Sequence, residues 1–219
     1  GGESRWDPRT GQIDAAVIDG ADAIIHLAGA GIGDKRWTPA YKREVLESRA
    51  LSTALLARTI ASATVKPKVF LSGSAIGVYG ARGDEQLAED GSLGSGFLAD
   101  VCRVGGRFGN GKQWQSWISI IDELNAIEYL LTANVEGPVN LTAPEPVTNA
   151  EFTKVLAKVL KRPALFPVPA FGPRILLGSE LADALLFTGQ RVLPGRLEAS
   201  GYHFAHRDLE SALRALLGK

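Results

Sequence analysis

A single cysteine, Cys102, in 219 residues excludes a disulfide within the chain and suits a reducing compartment. Charge of one sign is missing too: 24 Lys and Arg stand against 24 Asp and Glu, a formal net charge of zero. No basic surplus points to nucleic acid or to an anionic membrane. Long hydrophobic runs are absent, and the most apolar stretch, Ala164 to Gly178, is interrupted by Pro167, Pro169 and Pro173. Nothing here reads as a bilayer span. Methionine is missing altogether, and the pattern offers no physical reason for it. The opening Gly1-Gly2-Glu3-Ser4-Arg5 is polar and reads as the interior of a longer pattern. What is present is ordinary globular composition, 45% hydrophobic and 22% charged, at a length for one large domain or a domain with an appendage. The expectation is a cytoplasmic protein that meets a small molecule.

The first half reads as one βαβ unit. "ADAIIHLAG" (21–29) is a short, nearly continuous apolar run that ends in small residues, the pattern of a buried parallel strand. "TPAYKREVLESRALSTALLARTIAS" (38–62) is a long helix with Thr38 as N-cap and Pro39 at the first helical position. Its apolar stripe is Val45, Leu46, Leu51, Leu55, Leu56 and Ile60. "VFLSGS" (69–74) is the next strand, so the two strands are expected to be parallel neighbours. "GAGIGDKRW" (29–37), with three glycines, reads as a flexible connection.

The second half changes character. "GPVNLTAP" (137–144) reads as a strand between breakers. In "TNAEFTKVLAKVLKR" (148–162), Thr148 with Glu151 three residues on is a capping box. Phe152, Val155, Leu156, Val159 and Leu160 form the apolar face, and Pro163 stops the helix. Two short helical stretches are expected near 171–177 and 180–187, then a final helix capped by Asp208.

Four segments in order, "DAIIHLAG", "SGSAIGVYG", "GKQWQSWISIIDELNAIEYLL" and "GPVNLTAPEPVTNAEF", resemble an extended short-chain dehydrogenase/reductase. "TGQRVLPGRLEASGYHF" (188–204) is similar to the C-terminal module of unknown function found in its atypical, nucleoside-diphosphate-sugar epimerase-like family. The resemblance implies an α/β fold: a Rossmann-type doubly wound parallel sheet, with a smaller, mostly helical C-terminal substrate lobe. Residues 1–103 would be part of the NAD(P)-binding Rossmann domain. Residues 104–219 would supply the rest of the sheet and the substrate-binding lobe. The superfamily's first βαβ unit, with its Gly-rich pyrophosphate turn, has no counterpart before Gly1, and a segment is expected to be skipped after Arg103.

The resemblance also implies site residues. NADP or NAD would lie across the carboxyl ends of the strands, with Leu27, Ala28 and Gly29 under the adenosine half and Ser72 and Gly73 against the nicotinamide. Ser74 matches the hydroxyl that bonds the substrate's reacting oxygen; a simple loop is the plainer reading. Asp7 stands where an acid contacts the adenine amine, or is a turn residue beside Pro8. His26 reads as a strand residue packed on a helix, and Tyr79 as a structural tyrosine. Arg49 replaces the family's asparagine and either binds a substrate anion or pairs with Glu44 or Glu47 on the surface. Gln113, Trp114 and Trp117 face the substrate, or the tryptophans are core. Asp122 is expected to cap the helix that follows. No metal ligand set is expected.

The family's catalytic Tyr-x-x-x-Lys pair falls on Leu98 and Cys102, which have neither the proton nor the charge for the task. The residues four beyond Tyr41, Tyr79, Tyr129 and Tyr202 are Val45, Gly83, Ala133 and His206, so this chain contains no such pair. The reading is an NAD(P)-binding, epimerase-like oxidoreductase or isomerase acting on a sugar nucleotide or small carbonyl by another route. The alternative is a non-catalytic dinucleotide binder or sensor. A pure interaction scaffold is disfavoured, because it gives the small strand ends no purpose.

Overall fold

The computed structural model describes residues 4–74, 76–79, 82–92, 112–161, 178–180 and 189–219. The chain divides into two compact units, Gly1–Ala75 and Ile76–Lys219. The division precedes the expected boundary at Arg103, which lies outside the described residues, as do Leu98, Cys102 and the stretches expected to be helical at 171–177 and 181–187.

The first unit is the expected βαβ. Strand β1 (Ala23–His26) pairs in parallel with β2 (Val69–Ser72), Ala23 opposite Val69 and His26 opposite Ser72. Helix α1 (Pro39–Ser62) connects them, and the Thr38 side chain accepts from the Tyr41 N–H. The expected stripe needs correction. Val45, Leu55 and Leu56 are buried, but Leu46 and Leu51 are 37% and 36% exposed, and Tyr41 and Ser52 are buried instead. That face of α1 looks onto the 28–32 loop, whose backbone needs hydrogen-bond partners more than apolar cover.

In the second unit, β3 (Gln86–Leu87) pairs in parallel with β6 (Arg191–Val192), and β4 (Trp114–Gln115) pairs antiparallel with β5 (Val147–Thr148). One core cluster joins Tyr79, Leu87 and Val192. Another joins Val159, Leu209 and Leu213, with Trp117, Phe152 and Leu156 packed on it. That second cluster is the contact between α3 (Asn149–Leu160) and α5 (Leu209–Leu217), which Lys158 and Glu210 also bridge at 2.6 Å. Asp208 caps α5 as expected, and the Thr148–Glu151 capping box is complete. Leu160 is exposed, and α3 stops through Lys161 in the left-handed region, two residues before Pro163.

The expected strand at 137–144 does not form. Its polar groups are met singly rather than by a ladder: the Asn140 N–H by the Glu89 carboxylate, the Asn140 amide by the Leu193 carbonyl, and Ala143 N–H by the Trp117 carbonyl. Among the described residues no helix is long and apolar enough to cross a membrane.

Candidate functional site

Two parallel strands release their C-terminal ends side by side, and here those ends are tied together: the Gly73 N–H donates to the His26 carbonyl at 2.8 Å. Beyond them Leu27 (71% exposed), Ala28, Gly29, Ser72, Gly73 and Ser74 all reach solvent. The surface they form is small and neutral, and it offers backbone. A Cβ on Gly73 would come 3.1 Å from the Leu27 side chain, and one on Gly29 would come 2.8 Å from the Arg49 guanidinium carbon. Glycine is what lets these segments pass so close.

A line of polar side chains on α1 holds the loop after β1. Ser48 Oγ accepts from Ala30 N–H (3.0 Å), Arg49 Nη1 donates to the Ala30 carbonyl (2.7 Å), and the Tyr41 hydroxyl donates to the Gly31 carbonyl. Trp37 Nε1 adds a bond to the Ile32 carbonyl. The loop read as flexible is therefore anchored. Ser52 Oγ donates to the Ser48 carbonyl, which leaves it to accept from His26 Nε2 at 2.9 Å. That assigns the proton to Nε2 and the lone pair to Nδ1, which accepts Ala28 N–H at 3.3 Å. Burial lowers the His26 pKa and keeps the ring neutral, as this arrangement requires.

The other expected residues separate. Asp7 forms a turn: its carboxylate accepts from Arg9 and Thr10 N–H groups, which lower its pKa. Arg49 lies over Gly29 at the end of β1 and donates to the Ala30 carbonyl. Tyr79 is buried, and its hydroxyl donates to Asn140, a structural role. Trp117 is half-buried and packed against the second core cluster, with its N–H on the Glu145 carbonyl. Gln113 is buried, and Trp114 is half-buried with its N–H on Asp84 at 2.7 Å.

Asp122 is a correction. Ser119 is the N-cap of α2 (Ile120–Leu130), and Asp122 lies in its first turn, fully buried. Its carboxylate accepts from Ala205 N–H (2.7 Å), His206 N–H (3.0 Å) and Ser119 Oγ (2.8 Å), and its carbonyl from the Tyr202 hydroxyl (3.0 Å). It fastens the 202–206 segment to α2. Sequence reading also missed Arg191, whose guanidinium carbon stands 4.2 Å from the Trp114 ring centre. Nothing local pairs residues so far apart.

Among the described residues no group of three or more His, Cys, Asp or Glu is placed to hold a metal ion. A cavity lined by Ile13, Asp19, Arg58 and Ser62 lies along the C-terminal half of α1, at the other end of the helix from Tyr41.

Residues 8–97 match the NAD dependent epimerase/dehydratase family, and residues 168–216 match a domain of unknown function, DUF1731. The epimerase family protein ML0860 of Mycobacterium leprae is 34% identical over 254 residues, covering 96% of this chain and 82% of that protein. The junction expected at Arg103 and Val104 lies outside the described residues. The chloroplastic SDR39U1 homolog of Arabidopsis thaliana is 31% identical, covering 91% of this chain and 70% of that protein. Among solved structures, human epimerase family protein SDR39U1 with NADPH superposes with a TM-score of 0.85 at 27% identity, covering 94% of this chain and 85% of that one. A nucleoside-diphosphate sugar epimerase from Corynebacterium glutamicum superposes at 0.72 with 32% identity, over 98% of this chain and 49% of that one. The βαβ unit with its tied strand ends is thus part of a Rossmann-like α/β fold, and the chain belongs to the epimerase family, within the NAD dependent epimerase/dehydratase proteins.

Proposed function

We propose that the chain binds NADP or NAD over Leu27-Ala28-Gly29 and Ser72-Gly73, and that Ser74 orients the reacting oxygen of a sugar-nucleotide or small carbonyl substrate. The observation that carries this is the pair of exposed, neutral strand ends, whose small residues present backbone to solvent. The likeness to a human protein solved with NADPH supports it. When bound, the dinucleotide supplies hydride chemistry. The chain's own part is to present backbone to it, to hold the 28–32 loop by Ser48, Arg49 and Tyr41, and to place a hydroxyl at Ser74. Asp7, engaged in its own turn, contributes at most an edge contact to the adenine.

Ser74 is a poor base at neutral pH, and this chain has no Tyr-x-x-x-Lys pair to supply one. That observation favours the second reading, a dinucleotide binder without turnover. Calorimetry with NADPH and NADH tests binding: saturation is expected, and its loss in Gly73→Val. No heat from either dinucleotide sinks the proposal. A screen of UDP-sugars and small carbonyls then separates the readings. Turnover abolished by Ser74→Ala supports the enzyme, whereas binding without turnover supports the sensor.

A further inference from the structure

Arg191 stands in the second unit beside Trp114. It is half-buried on β6, and its Nε is buried without a hydrogen-bond partner. Among the described residues no carboxylate pairs with it; its recorded contact is the Trp114 ring, 4.2 Å from the guanidinium carbon. A buried N–H left without an acceptor is costly. Stacking on the indole returns part of this and cannot supply the acceptor in the guanidinium plane.

The surroundings hold this arrangement in place. Asp84 takes the Trp114 N–H and so fixes the ring, on its edge rather than on the cation. Ser116 Oγ accepts from Val192 N–H (2.8 Å) and donates to the Gln190 carbonyl (2.9 Å), locking the strand that carries Arg191 to the one that carries Trp114. Gly189 lies so close to the Trp114 carbonyl that a Cβ there would run into it. The guanidinium is therefore a flat, pre-oriented fork, the form in which arginine recognises an oxyanion through two parallel N–H bonds.

We propose that Arg191, held over the Trp114 ring, is an anion-recognition residue of the second unit that receives a carboxylate or phosphate group of a small-molecule ligand. This goes beyond the reading above, at a site within the second unit, and does not depend on where the dinucleotide lies.

The test is a titration of the full chain followed by tryptophan emission, with two probes. UDP carries phosphate without carboxylate, and glucuronate carries carboxylate without phosphate; sodium chloride at matched ionic strength is the control. At least one probe is expected to saturate at a Kd of about 1 mM or tighter. Arg191→Gln should weaken it about tenfold or more, with Arg191→Lys between the two because it keeps the charge and loses the fork. The probe that responds identifies the anion. If neither probe exceeds the salt control, or Arg191→Gln binds as the wild type does, the proposal is overturned. Should Arg191→Gln not fold, the Arg191→Lys titration decides by the same weakening. NADPH binding is measured in parallel. Its loss in the wild type would break the dinucleotide reading and leave the anion site standing, whereas its retention in a variant that no longer binds the probe separates the two sites.

Discussion

The two units handle a buried polar side chain in opposite ways. In the first, His26 is kept neutral by burial and is met by Ser52 on one nitrogen and the Ala28 N–H on the other, all within one βαβ unit. In the second, Asp122 is fully buried and is met by donors about 80 positions further along the chain. The first arrangement steadies a loop at the strand ends, where a ligand is proposed to lie. The second holds the C-terminal segment onto α2. A neutral partner suffices where the contact only has to orient; charged hydrogen bonds, roughly twice as strong as neutral ones, appear where distant chain must be held.

The comparison breaks most sharply at Asp122. Asp122→Ala leaves the Ala205 and His206 N–H groups and the Ser119 hydroxyl without their carboxylate acceptor, and the expected loss is about 3 kcal/mol. Urea unfolding should show a lower midpoint, with Asp122→Asn milder. A midpoint equal to that of the wild type would mean that the module is held by its apolar contacts alone.

His26 sharpens the other side. Its pKa is lowered in the folded state, so below its unfolded value of about 6.5 the unfolded chain binds the extra proton. Stability contributed by the neutral ring is therefore present above that pH and declines as pH falls through it. His26→Gln keeps a donor toward Ser52 and cannot titrate. It should flatten this slope while lowering stability by about 1 kcal/mol at pH 8. An unchanged slope would show that the pH dependence does not come from His26.

Thr148→Ala removes one half of the capping box on α3 and should cost about 1 kcal/mol. Amide exchange should quicken in the first turn of that helix, and protection left unchanged would contradict the capping role. The smallest effect is expected at Lys68, which pairs with Asp22 at 2.8 Å with both side chains exposed. Lys68→Gln should leave the melting midpoint where it is, because such pairs are screened and flexible.

How much was legible depended on how far apart the partners lie. Thr38 and Thr148 announce their helices because a cap and the N–H it accepts are three residues apart. Ser119 with Asp122 three positions on carried the same kind of signal, and reading Asp122 itself as the cap overlooked it. The α1 stripe was misread at Leu46 and Leu51 because helical spacing identifies apolar residues, not what faces them. The stretch at 137–144 looked like a strand and is not one, because its partners are the Glu89 side chain and the Leu193 carbonyl.

By itself, then, the sequence determined the parallel β1–α1–β2 unit, the small residues at its strand ends, the helix caps at Thr38, Thr148 and Asp208, and the family likeness. Each is encoded in neighbouring residues or in the order of short motifs. Only the tertiary structure decided that Asp122 is a buried clamp, that Trp117 packs against the second core cluster, that Arg49 lies over Gly29, and that Arg191 rests on Trp114. These pairings join residues as much as 84 positions apart, and their partners are chosen by packing, which no local spacing records.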